Sequence, residues 1–365
     1  RETSTLTVLE ALESPVASLE SSALVEALRR MSRGFLDFKK SRILILTTAC
    51  LATVVSVKSL IVREDSDREL DQAELENCFT QAIWQVFDRE RAAAGIKMRI
   101  SDLEVAVADA RLLTTALDQH VVPNPIGFMA REVLFSFELV LSPKSFLRQL
   151  YEFISEEQLV FISDRGAIYS QFLERSLAKS LEFSLLYIDE RSSDFYVNGF
   201  QDWRFLGELL WGRETIFQTL QNDLGLPLEV TASFYRRFTE ADFGPGVLRG
   251  AKKSFSNALF KCLVLLRERD TEAFSRPLFL ASSFDLPRWF FERTLRLPML
   301  PPLDIRQIQI AGSALAPKII FDPRINIPSG AMDDLSVLYA AFSLLPARDK
   351  MDKVARRHAR WLLAS

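Results

Sequence analysis

A stretch of 20 mostly apolar residues, 43–62 (ILILTTACLATVVSVKSLIV), constrains the fold of this chain more than any other part of the sequence. It is long enough to cross a membrane as a helix, and Lys39, Lys40 and Arg42 precede it, as basic residues do at cytoplasmic helix ends. However, Lys58 lies within the stretch, and half of its residues are Val, Ile or Thr, which favour strands. We therefore predict two β-strands here, with a membrane-spanning helix as the alternative.

The composition is that of a folded chain. Of its 365 residues, 48% are hydrophobic and 25% are charged, which excludes a wholly disordered protein. The length predicts two or three domains. A net charge of -3 provides no general basic field, so we do not expect a nucleic-acid partner. The first residue is Arg1 and not Met, so we expect a processed or trimmed product. No charged-then-apolar signal peptide opens the sequence.

Histidine and cysteine residues are few and scattered. The histidines are His120 and His358, and the cysteines are Cys50, Cys78 and Cys262. Their spacing matches neither a zinc motif nor a disulfide framework, so we expect no metal site and a reducing compartment. No nucleophile-elbow motif accompanies His120, which we interpret as a surface or structural residue, and we assign Cys262 to the core.

A long amphipathic helix is predicted over residues 70–94, because apolar residues recur there at spacings of three and four. Gly95 is expected to end it. With a strand before the helix and strands over 103–108 and 112–121 after it, residues 55–122 follow the order strand, helix, strand, strand. The apolar positions of the helix are Leu75, Cys78, Phe79, Ala82, Ile83, Val86 and Phe87.

The rest of the chain alternates between strand and helix patterns, which makes the fold class mixed α/β. Residues 133–141 alternate as a strand, after which Ser142 is expected to cap a helix and Pro143 to open it. Asn198-Gly199 is a strong hairpin signal. The other predicted strands are 159–162, 183–189, 195–197, 203–210, 278–281, 305–311 and 318–321, and the other helices are 22–33, 166–178, 213–223, 227–238, 252–268, 286–295 and 332–345.

The order of segments over residues 146–238, from FLRQLYEFISEEQLVF through LLYIDERSSDFYVNGF to WGRETIFQTL, resembles the second half of actin-like proteins of the FtsA and PilM type. In that family, a strand ends in a phosphate-binding turn, and a hairpin, a glycine-bearing turn and two helices follow. The resemblance implies a two-lobed actin-like (ribonuclease H-like) α/β fold, with a phosphate-1 hairpin at 43–57 and a strand-helix-strand-strand (SHS2) insert at 58–125. The implied parts are an N-terminal arm (1–40), a first lobe (41–181), a second lobe (182–330), a helix returning to the first lobe (331–347) and a basic amphipathic C-terminal helix (348–365).

The resemblance also places a nucleotide site, but the residues there depart from the family pattern. Phosphate turns need glycine and free backbone N–H groups; residues 46–50 contain neither glycine nor a carboxylate, and Glu190 adds negative charge to the second turn. Phe284 would enter the base or ribose pocket. We therefore predict a lost site with no catalytic residue and no cofactor. The alternative is that the site binds ATP, with its Mg²⁺ held by Asp189. The nucleotide-binding residues would then be Thr47, Thr48, Asp189, Ser192, Ser193, Gly212, Ser282 and Ser283.

The C-terminal segment, DKMDKVARRHARWLLAS, is basic and amphipathic. Its apolar residues fall at spacings of three and four, which predicts a helix that contacts an anionic membrane surface or a partner. The alternative is an ordinary surface helix that packs on its own domain. The contact residues would be Lys353, Arg356, Arg357, Arg360, Trp361 and Leu362.

The resemblance implies a non-catalytic scaffold at the cytoplasmic face of a bacterial inner membrane, such as a PilM-like component of the type IV pilus assembly platform. Its partners would be proteins, above all an inner-membrane protein, with the membrane surface and a second copy of the chain as further partners. The alternative is an FtsA-like cell-division protein that binds ATP, polymerises and tethers the division ring. The expected location is cytoplasmic and peripheral to the inner membrane.

Overall fold

The structure is a computed structural model of the chain, and it divides into two compact units. Unit 1 comprises residues 1–168, 318–328 and 338–365, and unit 2 comprises residues 169–317 and 329–337. The structure describes residues 6–8, 26, 29, 43–47, 51–152, 160–176, 182–198, 203–239, 249–250, 253, 256–257, 260, 262, 264, 276–282, 284, 305–307 and 319–321. The predicted helices over 286–295, 332–345 and 348–365 lie outside these residues.

Two parallel strand pairs belong to unit 1. Strand β1 (Leu6–Val8) pairs with β13 (Ile319–Phe321), so part of the predicted N-terminal arm forms sheet structure. Strand β2 (Ile43–Thr47) pairs with β7 (Val160–Asp164), with Thr47 opposite Asp164.

The apolar stretch 43–62 forms strands, as predicted, but not the predicted hairpin. Its second part is strand β3 (Thr53–Val62), which pairs with a different strand from the one that β2 pairs with. The hairpin prediction was wrong because β2 takes its partner from residues more than 110 positions further on, and adjacent apolar strands carry no signal for such a partner. The alternative of a spanning helix here is also wrong. In the described part of the chain, no helix is long and apolar enough to cross a membrane.

The larger part of unit 1 is a four-stranded antiparallel sheet covered by one helix, which we call the insert (residues 53–143). The strand order is β3-β6-β4-β5. The helix is α1 (Gln72–Met98), and the remaining strands are β4 (Val105–Leu117), β5 (His120–Val122) and β6 (Glu132–Pro143). Strands β3, β4 and β5 and helix α1 follow one another as strand, helix, strand, strand, but β4 takes up most of both strands that were predicted after the helix. The predicted bounds 58–125 cut through β3 and leave out β6. Its assignment to the SHS2 class stays a prediction.

Strand β4 replaces the two strands predicted over 103–108 and 112–121. Its pairing with β6 shifts between Val107 and Asp109 and again between Leu112 and Thr114. Each bulge reverses the alternation of side chains between the two faces of a sheet, so a single bulged strand gives the sequence pattern of two shorter ones. A 3₁₀ turn (Asp102–Glu104) precedes the strand.

Helix α1 extends past the glycine that was expected to end it. The Asp71 side chain accepts a hydrogen bond from the Glu74 N–H at its start, and the helix ends at Met98, with Arg99 in the left-handed conformation at φ 58°. Gly95 lies inside the helix, and a Cβ there would come within 3.2 Å of the Ile100 and Asp102 backbones. This glycine therefore permits the chain to pack against the helix as it leaves it. All seven predicted apolar positions are buried.

The core of the insert lies between α1 and the facing sides of β3, β4 and β6. Odd-numbered residues of β6 point into it, and Phe135 and Phe137 contact Phe79 of the helix with ring centroids 5.2 and 5.6 Å apart. The end of β6 also differs from the prediction. Ser142 is in the strand, where its hydroxyl donates to the Leu51 carbonyl (2.7 Å) instead of capping a helix, and α2 (Lys144–Tyr151) begins after Pro143.

Unit 2 contains a five-stranded sheet of order β10-β9-β8-β11-β12. Strands β8 (Phe183–Ile188) and β9 (Ser193–Asn198) form one hairpin, and β9 and β10 (Trp203–Leu209) form the hairpin predicted at Asn198-Gly199. Strand β11 (Leu278–Ser282) lies parallel to β8 and to β12 (Ile305–Gln307). The helices are α3 (Arg165–Ser176), which crosses the division between the units, α4 (Arg213–Leu224) and α5 (Leu228–Thr239).

Candidate functional site

The candidate site of unit 2 is the turn between β8 and β9, residues 189–192, which we call the β8–β9 turn. The Asp189 N–H donates to the Ser192 carbonyl (2.9 Å) and closes the hairpin. The Glu190 N–H donates to Oδ1 of Asp189, also at 2.9 Å. Two of the turn's N–H groups are thus engaged within the turn, and one oxygen of the carboxylate predicted to hold Mg²⁺ accepts a backbone hydrogen bond.

The start of helix α4 is fixed to this turn. The N–H groups of Arg213 and Glu214 donate to the carbonyls of Asp189 and Glu190, at 3.0 and 2.9 Å. Helix N-termini bind anions because their first N–H groups are free. Here those two groups bind carbonyl oxygens of the β8–β9 turn, and this removes them from an incoming phosphate.

Two ion pairs connect the β8–β9 turn to the start of α4. Arg213 pairs with Glu190 at 2.6 Å, and Arg191 pairs with Glu214 at 2.9 Å. Burial raises the pKa of Glu190, and neighbouring Asp189 raises it further, whereas Arg213 lowers it. Because the pKa of Glu190 is raised, its contribution to the free energy of unfolding is lost as pH rises through its folded-state pKa. The Arg213 cation pairs with the Glu190 carboxylate and is therefore not open to a phosphate.

Behind the turn, the chain packs closely against Gly212. The buried Ser193 hydroxyl donates to the Trp211 carbonyl at 2.6 Å. A Cβ at Gly212 would clash with the Asp189 carbonyl oxygen and lie 2.7 Å from that of Glu190. The predicted residues Asp189, Ser192, Ser193 and Gly212 are thus brought together, and Ser193 and Gly212 serve the internal packing of this contact.

We expect Gly212→Val to separate helix α4 from the β8–β9 turn, because the clashing atoms are backbone and cannot move as a flexible side chain would. The free energy of unfolding should fall by about 1–3 kcal/mol or more. Urea unfolding measures the loss, and hydrogen exchange at the Arg213 and Glu214 amides locates it. Gly225→Ala is the control for a nearby glycine, and it should cost about 1 kcal/mol through its positive φ alone, since no atom lies within 4 Å of a Cβ there. Unchanged exchange at Arg213 in Gly212→Val would contradict the expected separation.

An aromatic group lies beside the start of α4. The Arg213 guanidinium carbon is 5.6 Å from the ring centroid of Phe217 and 5.9 Å from that of Phe284. Tyr235 of α5 contacts the same two rings, at 5.2 and 6.1 Å. Ser282 lies next to Ile188 in the sheet, and its hydroxyl donates to the Phe284 carbonyl. Phe284, which was predicted to enter the base or ribose pocket, is thus packed among aromatic rings and the Arg213 guanidinium.

In unit 1, predicted Thr47 ends strand β2 opposite Asp164, a residue that the sequence patterns did not identify. Asp164 is buried, and its two oxygens accept from the N–H groups of Ala167 (2.7 Å) and Val54 (3.3 Å). This carboxylate therefore fixes the first turn of α3 and the start of β3 to the parallel pair. Thr48, Ser283 and the C-terminal contact residues Lys353, Arg356, Arg357, Arg360, Trp361 and Leu362 lie outside the described residues.

Two residues outside these sites, Cys262 and His120, were also assigned from the sequence. Cys262 is fully buried, as predicted, and burial raises the pKa of its thiol. His120 begins β5 and is exposed. Within the described ranges, no three His, Cys, Asp or Glu side chains are grouped as a metal ion would require.

Proteins with an actin-like fold are among the solved structures that are similar to this chain. Solved structures similar to it include a PilM-PilN type IV pilus biogenesis complex (12% identity, TM-score 0.48, covering 96% of this chain and 90% of that one). Others are the archaeal actin homologue Ta0583 (10%, 0.32, 52% and 56%) and MreB 5 of Spiroplasma citri bound to AMPPNP (8%, 0.31, 55% and 64%). No protein-family model and no curated protein matches the chain. At these identities the likeness concerns the fold alone.

Proposed function

We propose that this chain is a non-catalytic actin-like scaffold that holds a protein partner at the cytoplasmic face of a bacterial inner membrane, as a PilM-like component of type IV pilus assembly. The observation that supports the non-catalytic part is the β8–β9 turn. Its carbonyls accept the first N–H groups of α4, and its Glu190 takes the Arg213 charge. The choice of a PilM-like scaffold follows the order of elements in the sequence.

A triphosphate at this turn would meet unfavourable groups. Phosphate cradles present several N–H groups that point outward, whereas the β8–β9 turn directs N–H groups of Asp189, Glu190 and α4 to oxygen atoms of the protein. The carboxylates of Glu190 and Glu214 add like charge. Binding would require these hydrogen bonds and ion pairs to break, with no glycine in the turn to let the chain rearrange.

A scaffold without a nucleotide cycle has no nucleotide to shift it between two states, since a shift needs a ligand with different affinities for each. We infer that partner binding depends on fixed surfaces, and the insert of unit 1 provides one of them. Its helix and its four strands share one core, so its surface is held in a single arrangement.

Calorimetric titration of Mg-ATP, with ADP beside it, tests the proposal. We expect no heat and no thermal shift from the purified chain, although a ligand at 100 times its Kd would add about 2.7 kcal/mol of stability. The matched variant Glu190→Gln/Phe284→Ala, which removes one charge and one ring, shows whether these side chains block the site. Micromolar binding by the unchanged chain would overturn the proposal and favour the ATP-binding, FtsA-like alternative.

A further inference from the structure

One end of the insert is an ordered surface feature that takes no part in the contacts of the β8–β9 turn. It consists of residues 62–70 and 126–131, which we call the insert tip. The two segments run side by side, because Leu70 N–H donates to the Phe128 carbonyl and Gly127 N–H to the Leu70 carbonyl, both at 2.9 Å. The Arg63 N–H adds a third bond, to the Arg131 carbonyl at 2.9 Å.

The buried Arg63 side chain connects both segments of the tip to helix α1. Its guanidinium binds both oxygens of Glu74, at 2.7 and 3.0 Å, and also donates to the carbonyls of Ala130 (2.8 Å) and Arg68 (2.9 Å). The hydrogen bond with Glu74 raises the Arg63 pKa, which keeps the guanidinium charged. Both segments are thus tied to the first turn of α1, so the shape of the tip is set before anything binds.

This rigid tip exposes apolar side chains. Phe128 is 53% exposed, Met129 64% and Val62 57%, and Ile126 is exposed beside them. Val62 precedes Arg63, whose N–H bonds the Arg131 carbonyl, so the exposed apolar residues lie on two hydrogen-bonded segments. An exposed apolar patch on an ordered surface indicates an interaction site.

The rim of the patch is acidic. Glu64, Asp65, Asp67 and Glu69 are all exposed along the first segment of the tip. Of the exposed arginines of the tip, Arg68 pairs with Asp71 at 3.0 Å, and Arg131 is one cation against these four carboxylates. An anionic membrane would be repelled by this rim, whereas an amphipathic segment with basic residues would be attracted to it.

The chain itself carries a segment of that chemistry. Residues 349–364 hold five basic residues against two acidic ones, and apolar residues recur among them at helical spacing. Met351, Val354, Trp361 and Leu362 offer apolar contacts, and Arg356 and Arg357 offer charge. The tip is exposed in the single chain, and the same segment of a second molecule has the chemistry to cover it.

We propose that the insert tip binds the C-terminal segment of a second copy of this chain. The two surfaces differ, so the contact is head-to-tail, and repetition of it builds open chains of molecules. The apolar patch takes the apolar stripe of the segment, and the acidic rim takes its arginines. The proposal uses neither the β8–β9 turn nor the membrane partner, so a nucleotide-binding result leaves it unaffected.

A synthetic peptide of residues 349–365, labelled with a fluorophore and titrated with the full chain at low concentration, tests the contact by fluorescence anisotropy. A patch of this size is small compared with stable interfaces, so we expect a Kd in the micromolar range, rising with salt. Phe128→Ser/Met129→Ser and Asp65→Lys/Asp67→Lys should each weaken binding about tenfold or more. Leu103→Ser is the matched control, because Leu103 is 68% exposed at the opposite end of the insert, and it should leave the Kd unchanged.

A charge swap makes the test specific. A peptide carrying Arg356→Glu and Arg357→Glu should bind the Asp65→Lys/Asp67→Lys variant and not the unchanged chain. In sedimentation velocity, the average sedimentation coefficient of the full chain should increase with protein concentration. This increase should be absent in Asp65→Lys/Asp67→Lys and should return when Arg356→Glu/Arg357→Glu is added to that variant. Circular dichroism confirms that each variant is folded.

Three results would overturn the proposal. Peptide binding that the tip variants leave unchanged would place the segment elsewhere on the chain. Failure of the swapped peptide to bind the swapped variant would show that the charges do not meet. Binding of the peptide to phosphatidylglycerol vesicles, without binding to the chain, would assign the segment to the membrane surface.

Discussion

Replacing Arg111 by methionine should reduce the free energy of unfolding of unit 1 by about 3–5 kcal/mol. Arg111 and its partners Asp109 and Glu138 are each at most 5% exposed. The guanidinium lies 3.1 Å from Asp109, lies 3.4 Å from Glu138 and donates to the Ile162 carbonyl at 3.1 Å. It therefore joins β4 and β6 of the insert to strand β7. In Arg111→Met, two buried carboxylates lose their shared cation, which lowers the free energy of unfolding.

The loss should come from the removed charge and not from packing. Asp109→Asn/Glu138→Gln tests this, because it removes the buried charges that Arg111 compensates. Arg111→Met should then cost less in the Asp109→Asn/Glu138→Gln background than in the unchanged chain. Urea unfolding of the four chains measures this, and the exposed Arg131→Met is the control. An equal loss in both backgrounds would show that Arg111 acts through packing alone.

The sequence predicts best where one element's own periodicity decides its structure. The seven apolar positions of α1 are buried because a helix that packs on a sheet must turn one stripe inward. The strand pattern over 133–141 is correct for the same reason, since alternate residues of β6 face α1. The extent of α1 was harder to predict. Gly95 is typical of a helix end, and a close approach of the following chain explains why it lies inside the helix.

Pairing between distant segments could not be predicted from the same patterns. Strand β2 pairs with β7 instead of its neighbour β3, and nothing in residues 43–62 indicates that choice. The buried charges follow from the same long-range register. Arg111 and Glu138 are recognisable as partners once β4 is aligned with β6, and two bulges obscure that alignment in the sequence.

At the candidate site, the internal contacts were not predicted from the sequence. Asp189, Ser193 and Gly212 lie together at one turn, and their assignment to a nucleotide site stays a prediction. Charges of opposite sign at Glu190 and Arg213, and again at Arg191 and Glu214, are the signal that could have suggested two ion pairs. The hydrogen bonds from α4 to the carbonyls of the turn depend on backbone direction, which residue types do not specify.

Phe79→Ala should destabilise the insert by about 3–5 kcal/mol. The Phe79 ring is fully buried between α1 and β6, against Phe135 and Phe137. Truncation leaves a cavity among rings that neighbouring strands hold in place, and it removes two aromatic contacts. Trp84→Ala is the matched control on the same helix, because Trp84 is 43% exposed and its removal opens no enclosed cavity. We expect that control to cost about 1 kcal/mol or less.

Hydrogen exchange shows how far this loss extends. The core cluster around Phe79 draws its residues from the insert, within 57–141. Exchange in Phe79→Ala should therefore accelerate in α1 and β6 and remain as it was in β8 and β9 of unit 2. Equal acceleration in both units would show that the chain unfolds as one cooperative body. The insert surface would then be stabilised by the whole chain rather than by its own core.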